Sequence, residues 1–172
     1  RYYNEWQDQL KFLSNPLAVE VNVAKIKHDL VQYSGKSFHI YPVPNTGTIG
    51  AAVDGGAILL DGGTLGKHPD ILAFWLAHEW GHQALGHQPN IYNPYGSTWK
   101  IRTSATQTED EADVYAGKFL ATYNYDINVV YNYLYNLPKN ENDHTHSSGR
   151  KRAKLVLKGY RSVKGGSSTT SS

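Results

Sequence analysis

Apolar residues recur every three or four positions over long stretches of this chain, which is the spacing of one buried helix face. Start and stop signals bound several of these stretches. The second, for example, opens with Asn15-Pro16, a helix cap followed by proline at the first helical position. Together the spacing and the signals predict helices at residues 3–13, 16–35, 70–86, 106–123, 126–137 and 149–160.

Two shorter segments show the pattern of β-strands. Residues 37–43 place Phe38, Ile40 and Pro42 between polar neighbours, and residues 57–61 form a short apolar run closed by two glycines. The glycine-rich segment between them, 45–56, is predicted to consist of turns. The pattern therefore predicts an α+β fold that is mainly helical, with a small β-sheet beside the helices.

The composition is that of a globular protein. Of the 172 residues, 40% are hydrophobic and 19% are charged, which suits one domain with a sizeable core. We predict a single domain over residues 1–163 and a flexible Gly/Ser/Thr tail over residues 164–172. No apolar run approaches the roughly 18 residues needed to cross a bilayer, so no transmembrane segment is expected.

The chain contains neither cysteine nor methionine. The lack of cysteine excludes disulfides, thiolate zinc sites and a cysteine nucleophile. A cysteine-free composition rich in tyrosine and asparagine favours the bacterial cell envelope or exterior. We therefore expect a periplasmic or secreted protein whose signal peptide has been removed.

The formal net charge of +2 hides an asymmetry along the chain. Residues 1–149 carry 10 of the 17 basic residues and all 15 acidic ones, so residues 150–172 carry 17 − 10 = 7 basic residues and no acid. A short basic stretch can mark a nucleic-acid or anionic-lipid surface. Lys151, Lys154 and Lys158 have helical spacing, however, which favours the solvated face of a terminal helix, and no nucleic-acid partner is expected.

The predicted helix at 70–86 carries His78-Glu79-Trp80-Gly81-His82, an H-E-x-x-H motif. Residues at positions i and i+4 share one helix face, so His78 and His82 can bind one zinc ion. Glu79 is rotated by about 100° from His78 and can reach a water molecule at the metal without being a ligand. The motif favours a zinc peptidase site over two surface histidines that pack against tryptophan.

A peptidase zinc needs a third protein ligand and an open position for water. The metzincin pattern would require glycine at 85 and histidine at 88, where this chain has Leu85 and Gln88, and a methionine turn that the chain lacks. Glu109 and Asp113 offer another solution, because they are one helical turn apart. Glu109 can bind the metal while Asp113 holds the outer nitrogen of a ligand histidine. An acidic first helix turn that complements the helix dipole is the alternative.

H-E-x-x-H followed by E-x-x-A-D resembles the signature of the gluzincin metallopeptidases related to HtpX, the type 1 CAAX prenyl protease and the BepA-like proteases. The likeness extends to His87, to Thr145-His146 followed by Arg152 at the family spacing, and to the glycine-rich segment that begins at Gly55. It covers roughly residues 45–155. Ser147 replaces a family proline, and the membrane helices of the larger members are missing, which points to a small soluble branch.

The resemblance implies a zincin-like fold, a minimal gluzincin with one Zn²⁺ per chain held by His78, His82 and Glu109. Glu79 would be the base that activates water for attack on a peptide bond. By the same resemblance, His146 would donate to the oxyanion, and Arg152 would orient that segment or bind a substrate carbonyl.

Gluzincin substrates usually add as an extended strand to the edge of a sheet. The strand that contains Ala57, Ile58 and Leu59 is the predicted edge, because it directly precedes the active-site helix. Backbone pairing of this kind gives modest selectivity, so the expected partner is an extended or unfolded polypeptide. The oligomeric state is left open.

The predicted function is zinc-dependent endopeptidase, and two alternatives stay open. One is a cytoplasmic regulatory protease of the ImmA/IrrE type, which also combines H-E-x-x-H with a glutamate from a helix. The other is a zinc-binding chaperone or interaction module with a latent site. The Thr145-His146 and Arg152 element disfavours the first alternative, and the presence of Glu79 disfavours the second, since a non-catalytic site needs no base.

Overall fold

A computed structural model describes residues 16–43, 50–53, 56–87, 105–138 and 146–165 of the chain. Most of this part is helical. Helix α1 (Pro16–Ser34) buries the apolar face that the sequence predicts, including Ile26 and Leu30. The remaining helices are α2 (Gly62–Leu65), α3 (Pro69–Ala84), α4 (Ala105–Thr122), α5 (Ile127–Tyr135) and α6 (Gly149–Lys164). The predicted mainly helical α+β fold is confirmed.

Helix α3 is the centre of the molecule. It buries every residue from Leu72 to Gly81, and helices α1, α4 and α5 pack around it together with the sheet. A helix that is apolar on all sides is stable only inside a core. The two histidines of the motif are therefore carried by the most enclosed element of the described chain.

Three short strands form one mixed sheet. They are β1 (His39–Val43), β2 (Gly50–Val53) and β3 (Ala57–Asp61), in the order β1-β3-β2. Strand β3 runs parallel to β1 and antiparallel to β2. The prediction that Ala57–Leu59 form the sheet edge is wrong, because β3 is the central strand and its backbone pairs with a neighbour on both sides. Among the described residues, the edges are β1 and β2.

Other differences from the predicted elements are local. Residues 50–53, predicted as turns, form strand β2, because pairing with β3 overrides the weak strand propensity of glycine and alanine. Helix α2 begins directly after β3, where the Asp61 side chain accepts a hydrogen bond from the Gly63 amide. Helix α6 extends to Lys164, beyond the predicted end at 160. The predicted helix 3–13 lies outside the described residues.

Helices α4 and α6 approach each other backbone to backbone. A Cβ atom added to Gly117 would collide with the carbonyl of Val156, and one added to Gly159 would collide with the carbonyl of Val114. Two glycines therefore allow a crossing that no larger residue permits. This close approach brings the first turns of α6 against the acidic half of α4.

In the part of the chain that the structure describes, no helix is both long and apolar enough to cross a membrane.

Candidate metal centre

Two helices bring three predicted ligands together. Nε2 of His78 and Nε2 of His82, one turn apart on α3, lie 3.3 Å from each other. Oε1 of Glu109, on α4, lies 2.9 Å from the first nitrogen and 3.1 Å from the second. Tetrahedral zinc with bonds of 2.0–2.1 Å separates its ligand atoms by about 3.4 Å. The nitrogen and oxygen donors thus converge at close to the spacing that zinc requires.

A glycine on α3 allows α4 to come this close. A Cβ atom on Gly81 would lie 2.8 Å from Cδ1 of Tyr115, so a larger residue would push the two helices apart. Ala112, one turn before Tyr115 on α4, is also a small residue and is fully buried. Small residues at the crossing therefore set the distance between the histidines and Glu109.

The outer nitrogen of His78 is held by a buried ion pair. Nδ1 of His78 lies 2.8 Å from Oδ1 of Asp113, and the guanidinium of Arg152 donates to both oxygens of Asp113 at 2.9 and 3.0 Å. The carboxylate can only accept, so Nδ1 of His78 carries the hydrogen and Nε2 faces Glu109. The predicted supporting role of Asp113 is thus matched by its position.

Arg152 lies elsewhere than the sequence predicts. Its side chain is 6% exposed, pairs with Asp113 and stacks over the ring of Trp75 at 5.1 Å. Two of its donors are committed to Asp113, and burial keeps the guanidinium away from an incoming substrate. The predicted substrate-binding role of Arg152 is therefore not the role that its position supports; it orients Asp113 instead.

The outer nitrogen of His82 has a different support. Nδ1 of His82 lies 3.0 Å from Nδ1 of His87, and Nε2 of His87 lies 2.8 Å from Oε1 of Glu111. A glycine cap positions His87: Gly86 has a φ of 72°, its amide bonds to the Gln83 carbonyl, and the His87 amide bonds back to the His82 carbonyl. This pair of hydrogen bonds is a Schellman cap, which turns the chain back over the last helical turn.

The charges of the metal-free centre are strongly coupled. Burial opposes a proton on His78, but the hydrogen bond and negative charge of Asp113, followed by Glu109, outweigh it and raise the pKa of His78 to about 9. Burial also opposes ionisation of Glu109, yet contacts with three imidazoles, that of His146 foremost, hold its pKa far below the usual range. The centre therefore combines an ionised carboxylate with a protonated imidazole, and a dication could replace that proton.

Glu79 is buried beside the proposed ligands. It is 7% exposed, and its carboxylate lies within 4.8 Å of ligand nitrogens of His78 and His82. Among the described residues, the side-chain carboxylate of Glu79 has no hydrogen-bond partner. The carboxylate is therefore free to accept a proton from a water molecule at the centre, as the motif predicts.

His146 reaches the centre from the segment before α6. Its Nε2 lies 2.7 Å from Oε1 of Glu109, and burial, which disfavours its charge, is outweighed by this contact, which raises the pKa of His146. The neighbouring Ser147 donates to Oδ1 of Asp110 at 2.8 Å, and Nζ of Lys151 lies 3.2 Å from Oδ2 of the same residue. Ser147 therefore anchors the His146 segment to α4.

Strand β3 lies near the centre but does not offer its backbone. The side-chain amide of Gln83 donates to the carbonyl of Ala57 at 2.9 Å, which ties the start of β3 to the end of α3. Ile58 is fully buried, and Leu59 pairs with both neighbouring strands. The predicted contacts of these three residues with substrate backbone are excluded by the strand order.

The structure also shows roles that the sequence did not assign. Glu111 contacts the centre through His87, and Asp110 contacts it through Ser147. At the level of sequence, only the helix-dipole alternative included these two acidic residues. No short motif reveals these contacts, because they join residues 24 and 37 positions apart. Gly55 and Thr145, which contribute to the family resemblance, lie outside the described residues.

Comparison with family models, with curated proteins and with solved structures found no match to this chain. The arguments about function therefore depend on the geometry of the centre and on the residues that form it.

Proposed function

We propose that this protein is a zinc-dependent endopeptidase that cleaves extended or unfolded polypeptides. The observation that carries the proposal is the convergence of His78, His82 and Glu109 beside the buried carboxylate of Glu79, which has no hydrogen-bond partner among the described residues. A purely structural metal site would need the three ligands but not the fourth group. The resemblance to gluzincin sequences supports the same function.

The donor set suits zinc. Two imidazole nitrogens and one carboxylate oxygen are the ligands of several catalytic zinc sites, and the distances among them agree with tetrahedral geometry. Both histidines have their outer nitrogens engaged, which is typical of metal ligands. When bound, zinc supplies Lewis acidity and makes water acidic enough to lose a proton near neutral pH.

Glu79 would transfer the proton in this reaction. The carboxylate accepts a proton from the attacking water, the water oxygen bonds to the scissile carbonyl carbon, and the carbon–nitrogen bond breaks. The same proton then passes from Glu79 to the leaving nitrogen, which departs as an amine. A buried carboxylate without a hydrogen-bond partner among the described residues is placed for both transfers.

The substrate strand needs a free sheet edge beside the active-site helix. Strand β2 is an edge of the described sheet and packs against α3, whereas β3 is covered on both sides. We therefore transfer the proposed substrate contact from Ala57–Leu59 to the outer edge of β2. Pairing through backbone groups selects for an extended chain rather than for a particular sequence.

The experiment that tests the proposed function compares cleavage of an unfolded polypeptide by the full chain and by Glu79→Gln. The variant keeps the size of the side chain and the three ligands, so we expect zinc content to be unchanged and cleavage to be lost. Metal analysis of both preparations serves as the control. Equal cleavage by both proteins would remove Glu79 from the mechanism.

His146 is proposed as a donor to the developing oxyanion, since Nε2 of its imidazole reaches the centre, 2.7 Å from Oε1 of Glu109. We expect His146→Phe to lower turnover by on the order of 10²–10³-fold while zinc affinity is kept. Zinc affinity measured by chelator competition is the control. A parallel loss of zinc would instead identify His146 as a ligand, because its nitrogen also lies within reach of His78 and Glu109.

The position of His146 within reach of His78 and Glu109 supports a second candidate function. If His146 joins the other three ligands, the four protein donors leave no position for water, as in structural zinc sites. The protein would then be a zinc-stabilised binding module. One zinc per chain without cleavage by the wild type, and with zinc loss in His146→Phe, would support this candidate and contradict the peptidase.

A further inference from the structure

We propose that the groove between helices α4 and α6 is a docking site for an acidic polypeptide segment, in which carboxylate side chains lie next to apolar ones. The groove has a volume of about 580 Å³, which is within the range of ligand-binding pockets. None of the described residues that line it is a ligand of the proposed metal centre. The groove is therefore a second surface, and binding to it does not depend on the proposed function.

Part of the lining of this groove is apolar. Leu85, directly after α3, is 48% exposed, and Val114 of α4 and Leu155 of α6 line the groove from its two sides. Apolar surface in contact with water gains free energy when a partner covers it. Because this surface lies within a groove, an apolar side chain of a bound segment can contact it on more than one side.

The close crossing of α4 and α6 brings two positive charges to the groove. Lys118 and Lys158 (the groove lysines) both line it and are exposed. Each is next to one glycine of the crossing, Gly117 on α4 and Gly159 on α6. A Cβ atom added to Gly159 would lie 3.1 Å from the amide nitrogen of Lys118, so the main chains bring the two positions together. Like charges that line one groove repel each other, and an anion bound between them relieves the repulsion.

The acidic residues of the groove already have partners within the protein. Oδ2 of Asp110 lies 3.2 Å from Nζ of Lys151, and Oε1 of Glu111 lies 2.8 Å from Nε2 of His87. Across the described ranges of the chain, neither groove lysine forms an ion pair. Positive charge therefore remains in the groove, and a carboxylate supplied by a partner complements it.

The positive charge continues along α6. Lys154 and Arg161 lie one turn before and one turn after Lys158 on the same helix face, and both are exposed. Helix α6 has no acidic residue, and within the part of the chain that the structure describes neither of these two side chains forms an ion pair. The groove is thus bordered by a basic stripe, which favours a partner with several carboxylates in succession.

The apolar lining favours a polypeptide among the acidic partners. Bases of single-stranded nucleic acid bind by stacking on aromatic rings. Tyr115 is the aromatic residue of the described lining, and its ring already packs against Gly81 and, at 5.4 Å, against the ring of Tyr33. An anionic lipid surface is broad and would contact the lysines without entering the groove. A polypeptide can supply both a carboxylate and an adjacent apolar side chain.

The test measures peptide binding to the full chain that carries Glu79→Gln, so that cleavage does not interfere. The probe is a fluorescent unstructured peptide with two leucines flanked by glutamates, and the matched probe has glutamine in place of each glutamate. The groove variant, Lys118→Gln with Lys158→Gln, removes both charges of the groove lysines. The matched control, Lys27→Gln with Lys36→Gln, removes two lysines that do not line the groove.

We expect the glutamate probe to bind about 5–30-fold more tightly than the glutamine probe, which is the effect of two exposed charge pairs. The groove variant should lose this difference, and the control variant should keep it. Leu85→Ser should weaken the binding of both probes by about 3–10-fold, because less apolar surface is covered. The urea midpoint of the groove variant should equal or exceed that of its parent, because a repulsion is removed.

Equal binding of the two probes, no binding of the glutamate probe, or undiminished binding by the groove variant would each overturn the inference. A single-stranded oligonucleotide and vesicles of anionic lipid are offered in the same assay. If either bound through the groove lysines while the peptide did not, the proposed polypeptide partner would be wrong.

These outcomes separate the docking site from the proposed function. A wild type that binds the glutamate probe but cleaves no polypeptide contradicts the endopeptidase and supports the docking site. A peptide that the wild type cleaves, but that the groove variant binds as tightly as its parent does, contradicts the docking site alone.

Discussion

The two histidines of α3 are each held at the outer ring nitrogen, but in different environments. His78 is supported by Asp113 and Arg152, whose side chains are 1% and 6% exposed. His82 is supported by His87 and Glu111, whose side chains are 9% and 46% exposed. Each support contacts the outer nitrogen of its histidine, so that the inner nitrogen of both rings faces Glu109.

The difference shows that the two supports of the histidines depend on folding free energy to different extents. The buried support contains a carboxylate and a guanidinium that were both removed from water, so each depends on the other for its stability. The surface support keeps its charge in contact with solvent and needs no such partner. We therefore expect damage to the buried support to affect folding, and damage to the surface support to affect mainly the metal.

The largest effect should come from Asp113→Ala. The substitution leaves the guanidinium of Arg152 buried without its carboxylate and also removes the partner of His78. Loss of one partner of a buried ion pair costs about 3–5 kcal/mol, and we expect a loss of that size in the free energy of unfolding, measured with urea on metal-free protein. A loss below about 1 kcal/mol would mean that the pair contributes little to the fold.

The smallest effect should come from Glu111→Gln. An exposed charge pair contributes about 0–1 kcal/mol, so the free energy of unfolding of the metal-free protein should change by less than that. If the centre binds zinc as proposed, zinc affinity should fall nevertheless, because the charged acceptor that holds the His87 ring against His82 is lost. Chelator competition and urea unfolding on the same preparation separate the two quantities.

Added salt sharpens this contrast further. The difference in zinc affinity between the wild type and Glu111→Gln should shrink between 0.1 and 1 M salt, since the Debye length falls from about 10 to 3 Å. Gln107→Ala, which removes a neutral side chain 3.4 Å from the other oxygen of Glu111, is the control for effects of salt on zinc itself. A difference that salt leaves unchanged would show that Glu111 acts through the shape of its side chain rather than through its charge.

Much of this fold follows from local sequence. The bounds of α1 and α3 agree with their caps and apolar spacing to within two residues, and β3 agrees with its apolar run. The position of β3 within the sheet does not follow, because strand order depends on which distant segments pair. Strand β2 was missed for the same reason, since its glycine and alanines become a strand only against β3.

The candidate site, like the fold, follows only in part from local sequence. His78, His82 and Glu79 follow from spacing on one helix, and Glu109 and Asp113 follow from spacing on another. Where the two helices meet does not follow, because the crossing is set by tertiary contacts such as that of Gly81 with Tyr115. The surroundings of Arg152 and Glu111 depend on that crossing, which explains why the sequence did not predict the pairing of Arg152 with Asp113 or the contact of Glu111 with His87.

The buried contact between His78 and Asp113 also bears on what metal uptake by the proposed centre would do to the solution. At neutral pH the metal-free His78 holds a proton, since its pKa is about 9, and a ligand nitrogen must give that proton up. Zinc binding at the proposed centre would therefore release this proton to the solution. In weakly buffered solution, the binding of each metal ion would lower the pH. A lower pH would in turn favour release of the metal.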